Sequence, residues 1–204
     1  RRGAWIASML CADFLPVPWR SLLTGGCIET GTEVWNGGAN YYTVAQIVVG
    51  GIDAANSLMA VKKLVYDDKK ITMAELQKAL AANWEGEYEK VRKMCFEDAP
   101  KHGNDIPEVN RMTHRVYESI LTAFNNVDGG GNYLSKDIKS TPDAYTKSIH
   151  NLMGMVTGAL PNGKRAGVAL TDGSLSAMPG TDVNGPTALV MSAARAQDAI
   201  KYTA

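Results

Sequence analysis

The chain has 204 residues, 45% of them hydrophobic and 21% charged, with a formal net charge of zero; this is the composition of an ordinary globular protein of one large or two small domains. The charge balance argues against a nucleic-acid partner, and no run approaches the ~18 apolar residues of a membrane span. Three scattered cysteines, Cys11, Cys27 and Cys95, exclude a disulfide framework or a zinc site and read as reduced thiols of a cytoplasmic protein.

In chain order, Ala4–Cys11 and Trp19–Leu23 read as short helical pieces separated by Pro16 and Pro18. Residues 30–51 are rich in glycine and aromatic residues, and Tyr41–Val49 is the strand candidate within them. Asp53 is the expected N-cap of a helix whose face is Ala54, Leu58, Val61 and Val65. Thr72 and Glu75 form a capping box before a helix with an apolar stripe of Met73, Leu76, Leu80 and Trp84. Beyond Gly86 a further helix is expected over Glu87–Phe96. Pro107 opens the next one, with Val109, Met112, Val116, Ile120 and Phe124 inward. Asp128–Gly131 is a loop, and 132–187 is expected to be mostly irregular, with turns at Pro142, Pro161-Asn162-Gly163 and Asp172-Gly173. Thr187–Met191 reads as a short buried strand and Ser192–Tyr202 as a helix. The chain thus divides into a helix-rich part, 1–127, and a loop-rich part, 128–204. Arg1-Arg2-Gly3 at one end and Tyr202-Thr203-Ala204 at the other look cut from something longer.

Few residues carry obvious chemistry. Gly26-Cys27-Ile28-Glu29 offers a thiol two residues from an acid, but a buried structural cysteine is the ordinary outcome. His102, His114 and His150 lie far apart in sequence. His114 falls off the apolar stripe of its helix, and His102, in a Pro-Lys-His-Gly-Asn-Asp loop, suits packing or capping. No metal-ligand spacing appears, so no metal is expected. Gly158–Gly167 lacks the GxxxxGK[ST] pattern because Arg165 follows Lys164, which excludes a phosphate loop.

Four blocks in order resemble the pyruvate formate-lyase type of glycyl radical enzyme: Pro18–Tyr41 with Trp35-Asn36-Gly37-Gly38-Ala39-Asn40-Tyr41, Gly51–Val65, Ile71–Trp84, and Ala159–Ala188 with Gly163-Lys164-Arg165-Ala166-Gly167 and Asn184-Gly185-Pro186-Thr187-Ala188. The sequence departs from the family's usual pattern at Thr30 for proline, Asn56 and Asn162 for aspartate, and in the order Lys164-Arg165. The resemblance implies an α/β fold: part of the C-terminal half of a ten-stranded α/β barrel, with the 204 residues as one piece of it. It implies radical lyase chemistry on a small organic molecule: dehydration, C–C or C–N cleavage, or decarboxylation. The family's catalytic cysteine loop and its Arg-Val-x-Gly-Tyr radical motif are not found here, so the chain alone is expected to be inactive and to carry no catalytic residue. The Cys-Ile-Glu segment at 27–29 is similar to a second, non-catalytic one in the family. No cofactor is expected on this chain. The glycyl radical belongs to the full-length protein and is installed by a separate iron–sulfur activating enzyme using S-adenosylmethionine. Implied partners are that enzyme, the remainder of the barrel and a second copy in a homodimer. Tyr42, His150, Ser174 and Ser176 are the substrate-pocket candidates, because they lie in the blocks nearest the family's central loops. A non-catalytic module completed by another chain, or an arylalkylsuccinate-synthase type that forms C–C bonds, is also compatible with these blocks.

Overall fold

A computed structural model describes residues 6, 10–41, 44–126, 140–143, 148–173 and 175–197. They fall into two compact units, one of residues 1–46 with 120–141 and residue 204, the other of 47–119 with 142–203.

In the first unit, residues 10–14 are helical. Helix α1 (Pro18–Leu22) has proline in its first turn, where the missing N–H costs nothing. Helix α2 (Cys27–Thr30) starts at Gly26, whose φ of 98° is left-handed, and Glu29 Oε2 accepts from Gly26 N at 2.9 Å. Glu33 ties the unit together: its Oε1 accepts from Val17 N at 3.1 Å and from Ser21 Oγ at 3.2 Å. In the Gly37-Gly38 pair, Gly37 holds φ 85° and Gly38 is crowded, since a Cβ on it would lie 2.0 Å from the Thr32 carbonyl oxygen. The guanidinium of Arg20 stacks over Trp35 at 4.9 Å. Strand β1 (Val44–Ile47) is shorter than the sequence suggests and pairs with β2 (Ser140–Asp143) in a two-stranded sheet. Pro142, expected in a turn, lies in β2. No other sheet occurs among the described residues, which are mainly helical or irregular.

The second unit holds the main core. Helix α3 (Gly51–Val61) is capped by Gly50, with φ 82°, and not by Asp53, which sits buried in the first turn. Its inward face is Ile52, Ala55, Asn56, Met59 and Ala60, whereas Leu58 of the expected face is exposed. The helix continues into a π-helical turn, Lys62–Asp67, which buries Leu64. Helix α4 (Met73–Ala81) begins as expected, Thr72 Oγ1 accepting from Glu75 N at 3.1 Å. Leu76 and Trp84 join Leu64, Ile71, Ala79, Val91 and Cys95 in one buried cluster, with Met73 and Leu80 packed against it. Each large side chain there contributes roughly 1.5–3 kcal/mol of transfer free energy before ordering costs.

The expected helix over 87–96 is divided: a 3-10 turn at Gly86–Tyr88, α5 (Glu89–Lys93), then a second π-helical turn, Met94–Asp98. The carbonyls at the end of this turn are met by Lys101, a buried lysine whose Nζ donates to Cys95 O at 2.6 Å and Ala99 O at 2.8 Å. Burial draws the Lys101 amine down to about 8 and pushes the Cys95 thiol up to about 11, which leaves that thiol unreactive.

Helix α6 (Pro107–Asn126) opens at Pro107 and buries Val109, Asn110, Thr113 and Tyr117, whereas Met112, Val116 and Ile120 of the expected face are only half-buried. His114 is half-buried, its Nε2 4.0 Å from Glu118. His102 is fully buried. Its N donates to Asn56 Oδ1 at 2.9 Å, its Nε2 lies 3.1 Å from the Leu175 carbonyl, and burial depresses its pKa, so the ring is neutral packing. Helix α7 (Ile149–Met155) lies in a stretch expected to be irregular. Helix α8 (Gly185–Gln197) replaces the strand expected at 187–191: Gly185 has φ 84° and Pro186 follows it in the first turn, a helix-start pair that overrides the short run Thr187–Met191. Asn104 fixes this start, its Oδ1 accepting from Val183 N at 2.8 Å and Asn184 N at 3.1 Å.

Candidate functional site

The irregular segment 157–173 of the second unit is built as tightly as a core. Its anchor is Asp53, 2% exposed. Asp53 Oδ1 accepts from Asn162 Nδ2 at 2.8 Å and Thr171 Oγ1 at 2.9 Å, and lies 2.9 Å from Lys164 Nζ. Thr171 N donates to Asp53 Oδ2 at 2.6 Å. Lys164 Nζ also donates to Ala169 O at 3.0 Å and Thr171 Oγ1 at 3.1 Å, so all three ammonium protons are committed.

A second clamp comes from Asn83 and Trp84, consecutive residues with φ of 49° and 66°. This left-handed pair turns the chain so that Trp84 Nε1 donates to Lys164 O at 2.8 Å, while Asn83 Oδ1 accepts from Ala166 N at 2.7 Å and Asn83 O from Arg165 Nη1 at 3.1 Å. Glu89 holds both Arg92 and Arg165, each at 2.7 Å, and the two guanidinium charges keep its carboxyl below the usual range, the hydrogen bond from Arg92 first. Gly163 has φ 95° and an added Cβ would stand 2.9 Å from Phe96 Cβ. The glycine-rich block is therefore a latch and not an anion cradle.

The latch places Asp172 against His150 of α7, Nδ1 to Oδ1 3.3 Å. The same end of α7 is tied by Leu170 N donating to His150 O at 3.2 Å. At its other end α7 rides directly on the latch: a Cβ on Gly154 would lie 2.4 Å from Val168 O and 2.5 Å from Ala169 Cα. These are backbone atoms that cannot swing aside. Gly154→Ala is therefore expected to lower stability by about 1–3 kcal/mol or more and to part His150 from Asp172. Thermal unfolding of the full-length variant, with the His150 imidazole followed by NMR, checks both; an unchanged midpoint and unshifted imidazole signals would refute the contact.

A cavity of about 380 Å³ opens between these elements, with Phe96, Val168, Leu170 and Met178 as apolar walls and His150 and Asp172 among its polar groups. A larger one, about 680 Å³, lies between the ends of the two π-helical turns and is lined by carboxylates, amides and lysines, including Asp67, Asp98 and Lys101. Of the four pocket candidates, His150 lines the smaller cavity. Ser176 is exposed and does not line it, and Tyr42 and Ser174 lie outside the described residues. Asp172 and Asp53 read from sequence only as a turn residue and a helix cap; the contact of Asp172 with His150 and those of Asp53 with Asn162 and Thr171, more than a hundred residues away, leave no local signal. Cys27 is buried, and the nearby Glu29 carboxylate is occupied by Gly26 N. Among the described residues no group of three His, Cys, Asp or Glu is placed to hold a metal ion, and no helix is long and apolar enough to cross a membrane.

Comparison with known proteins gives a consistent picture. A family model described as pyruvate formate lyase-like matches residues 2–154. The chain is 34% identical to the trans-4-hydroxy-L-proline dehydratase of Clostridioides difficile, over 95% of this chain and 24% of that protein. It is 33% identical to the indoleacetate decarboxylase of Tractidigestivibacter scatoligenes, over 92% of this chain and 24% of that one. The crystal structure of the C. difficile hydroxyproline dehydratase with its substrate bound superposes with a TM-score of 0.84 at 32% identity, over 96% of this chain and 24% of that structure. The chain spans about a quarter of the length of these relatives.

Proposed function

The chain belongs to the pyruvate formate lyase-like family, and from that premise we propose that it is one part of a glycyl radical lyase acting on a small organic molecule. The observation that carries this is the evenness of the similarity. A dehydratase and a decarboxylase match nearly the whole chain at 34% and 33% identity. A segment shared so evenly by two different reactions is common framework, and the choice of reaction lies in a few pocket residues. The latch fits that role, because it spends its charged and polar groups on holding an irregular segment in one shape.

In this proposal the chain forms wall and pocket in the C-terminal half of a ten-stranded barrel. The hydrogen-abstracting cysteine and the radical-bearing glycine come from other parts of the polypeptide, so the chain alone turns nothing over. Cys27 is not the reactive thiol. It is buried, and Glu29 beside it serves as a helix cap. His150 faces the substrate, and Tyr42 and Ser174 are assigned with it; Ser176, outside the cavity that His150 lines, is not. The full-length protein is a cytoplasmic homodimer, activated by a separate iron–sulfur enzyme that uses S-adenosylmethionine. Once activated without oxygen, it is expected to give a glycyl doublet in electron paramagnetic resonance and to be cut at that glycine when air is admitted. Silence after competent activation would leave a non-catalytic module as the answer.

A further inference from the structure

Lys101 is a buried amine without a counter-ion. It is 4% exposed, and among the described residues its Nζ is met by two backbone carbonyls, Cys95 O at 2.6 Å and Ala99 O at 2.8 Å, and by no carboxylate. Lys164, also buried, has Asp53 beside it. An unpaired ammonium is costly to bury, and such a group sheds its proton instead; burial draws this amine down to about 8. The carbonyls occupy two of the three free positions on the nitrogen. As a free base the amine satisfies both and keeps its lone pair. Lys101 also lines the larger cavity, of about 680 Å³, a size that admits a small molecule. Asp67, Glu97, Asp98 and Glu108 share its walls, and among the described residues Lys63 is the one further cation there. These carboxylates repel an anionic guest, although an unpaired ammonium alone would invite one.

We propose that Lys101 is a reactive amine that captures small uncharged aldehydes from this cavity as a Schiff base. Its lone pair attacks the carbonyl carbon and a C–N bond forms; both amine protons and the aldehyde oxygen then leave as water. Protonated by solvent, the imine keeps one N–H for Cys95 O or Ala99 O. The charge of the product selects the electrophile. Carbon dioxide would leave a carbamate anion and an acyl donor a neutral amide, whereas an aldehyde leaves a cation that the carboxylates of the cavity favour.

The test uses the full-length protein before activation, with benzaldehyde as probe and cyanoborohydride to reduce the imine to a stable secondary amine. Peptide mass spectrometry at about pH 7 should show Lys101 labelled about tenfold or more faster than the exposed Lys78, because a depressed amine holds more free base there. The ratio should shrink as the pH is raised to about 10, where exposed amines deprotonate too, and it should collapse in urea. With para-formylbenzoate, an aldehyde that carries a negative charge, most of the preference for Lys101 should be lost. Val183→Trp, at an 81% exposed position on the cavity wall, is expected to fold and to slow the labelling of Lys101 and not of Lys78. Lys101 labelled no faster than Lys78, an advantage that survives urea or Val183→Trp, or a preference for para-formylbenzoate would each overturn the proposal. No readout depends on the glycyl radical, so the radical assignment and this one stand or fall independently.

Discussion

Asp53→Ala is expected to destabilise the protein by about 3–5 kcal/mol, the usual cost of removing one partner from a buried ion pair. The carboxylate receives Asn162 Nδ2, Thr171 N and Thr171 Oγ1 and balances Lys164. Alanine would strand the Lys164 ammonium, whose side chain is 8% exposed, and leave three further donors without this acceptor. Urea unfolding of the full-length protein, followed by circular dichroism, gives the loss. A drop under about 1 kcal/mol would mean that the pair behaves as a surface one and that the latch is not held by it. A cycle with Lys164→Met refines the test: because both changes break one network, the double variant should lose clearly less than the sum of the singles.

Trp84→Ala should cost a similar amount, about 3–5 kcal/mol, because it empties a large, fully buried site. Here the backbone adds a further expectation. Trp84 holds φ 66°, a conformation that disfavours any residue with a Cβ by about 1–2 kcal/mol. Glycine, normally the more damaging replacement, should therefore be no worse than alanine at this position. Trp84→Phe keeps most of the ring and removes only the N–H that reaches Lys164 O, so about 1 kcal/mol is expected. The order Phe, then Gly, then Ala in thermal midpoint would support both the packing and the strained turn; Gly clearly below Ala would exclude the strain.

How far these elements could be read beforehand depends on how local their causes are. The start of α4 was legible because Thr72 and Glu75 act across three residues. The start of α6 was legible because proline has few permitted places. The inward face of α3 was misread for a physical reason. Two of its buried positions are Asp53 and Asn56, polar residues whose partners lie 46 to 118 residues away. Periodicity assigns such residues to water, and the apolar Ala54 and Leu58 then take the inner face in their place. The strand expected at 187–191 failed because five residues, four of them apolar, are too few to show a period, and the Gly185-Pro186 start decides the matter. The family was legible because its marks are short ordered blocks. Two of those blocks prove to be contact partners: Asp53 of Gly51–Val65 holds Asn162 and Thr171 of Ala159–Ala188. The site was less legible. His150 could be singled out by its residue type, but nothing near Asp172 in sequence points to it.

The segment 157–173 also reverses a common rule for engineering. Irregular surface segments generally accept inserted residues, tags or new loops without harm. Here the backbone amides of Gly163, Lys164, Ala166, Gly167, Leu170 and Thr171 each have an assigned acceptor. One added residue would shift every pairing downstream of it, as a register slip does in a sheet. For changes of length this stretch is core, and the safer places to graft lie where helices meet solvent.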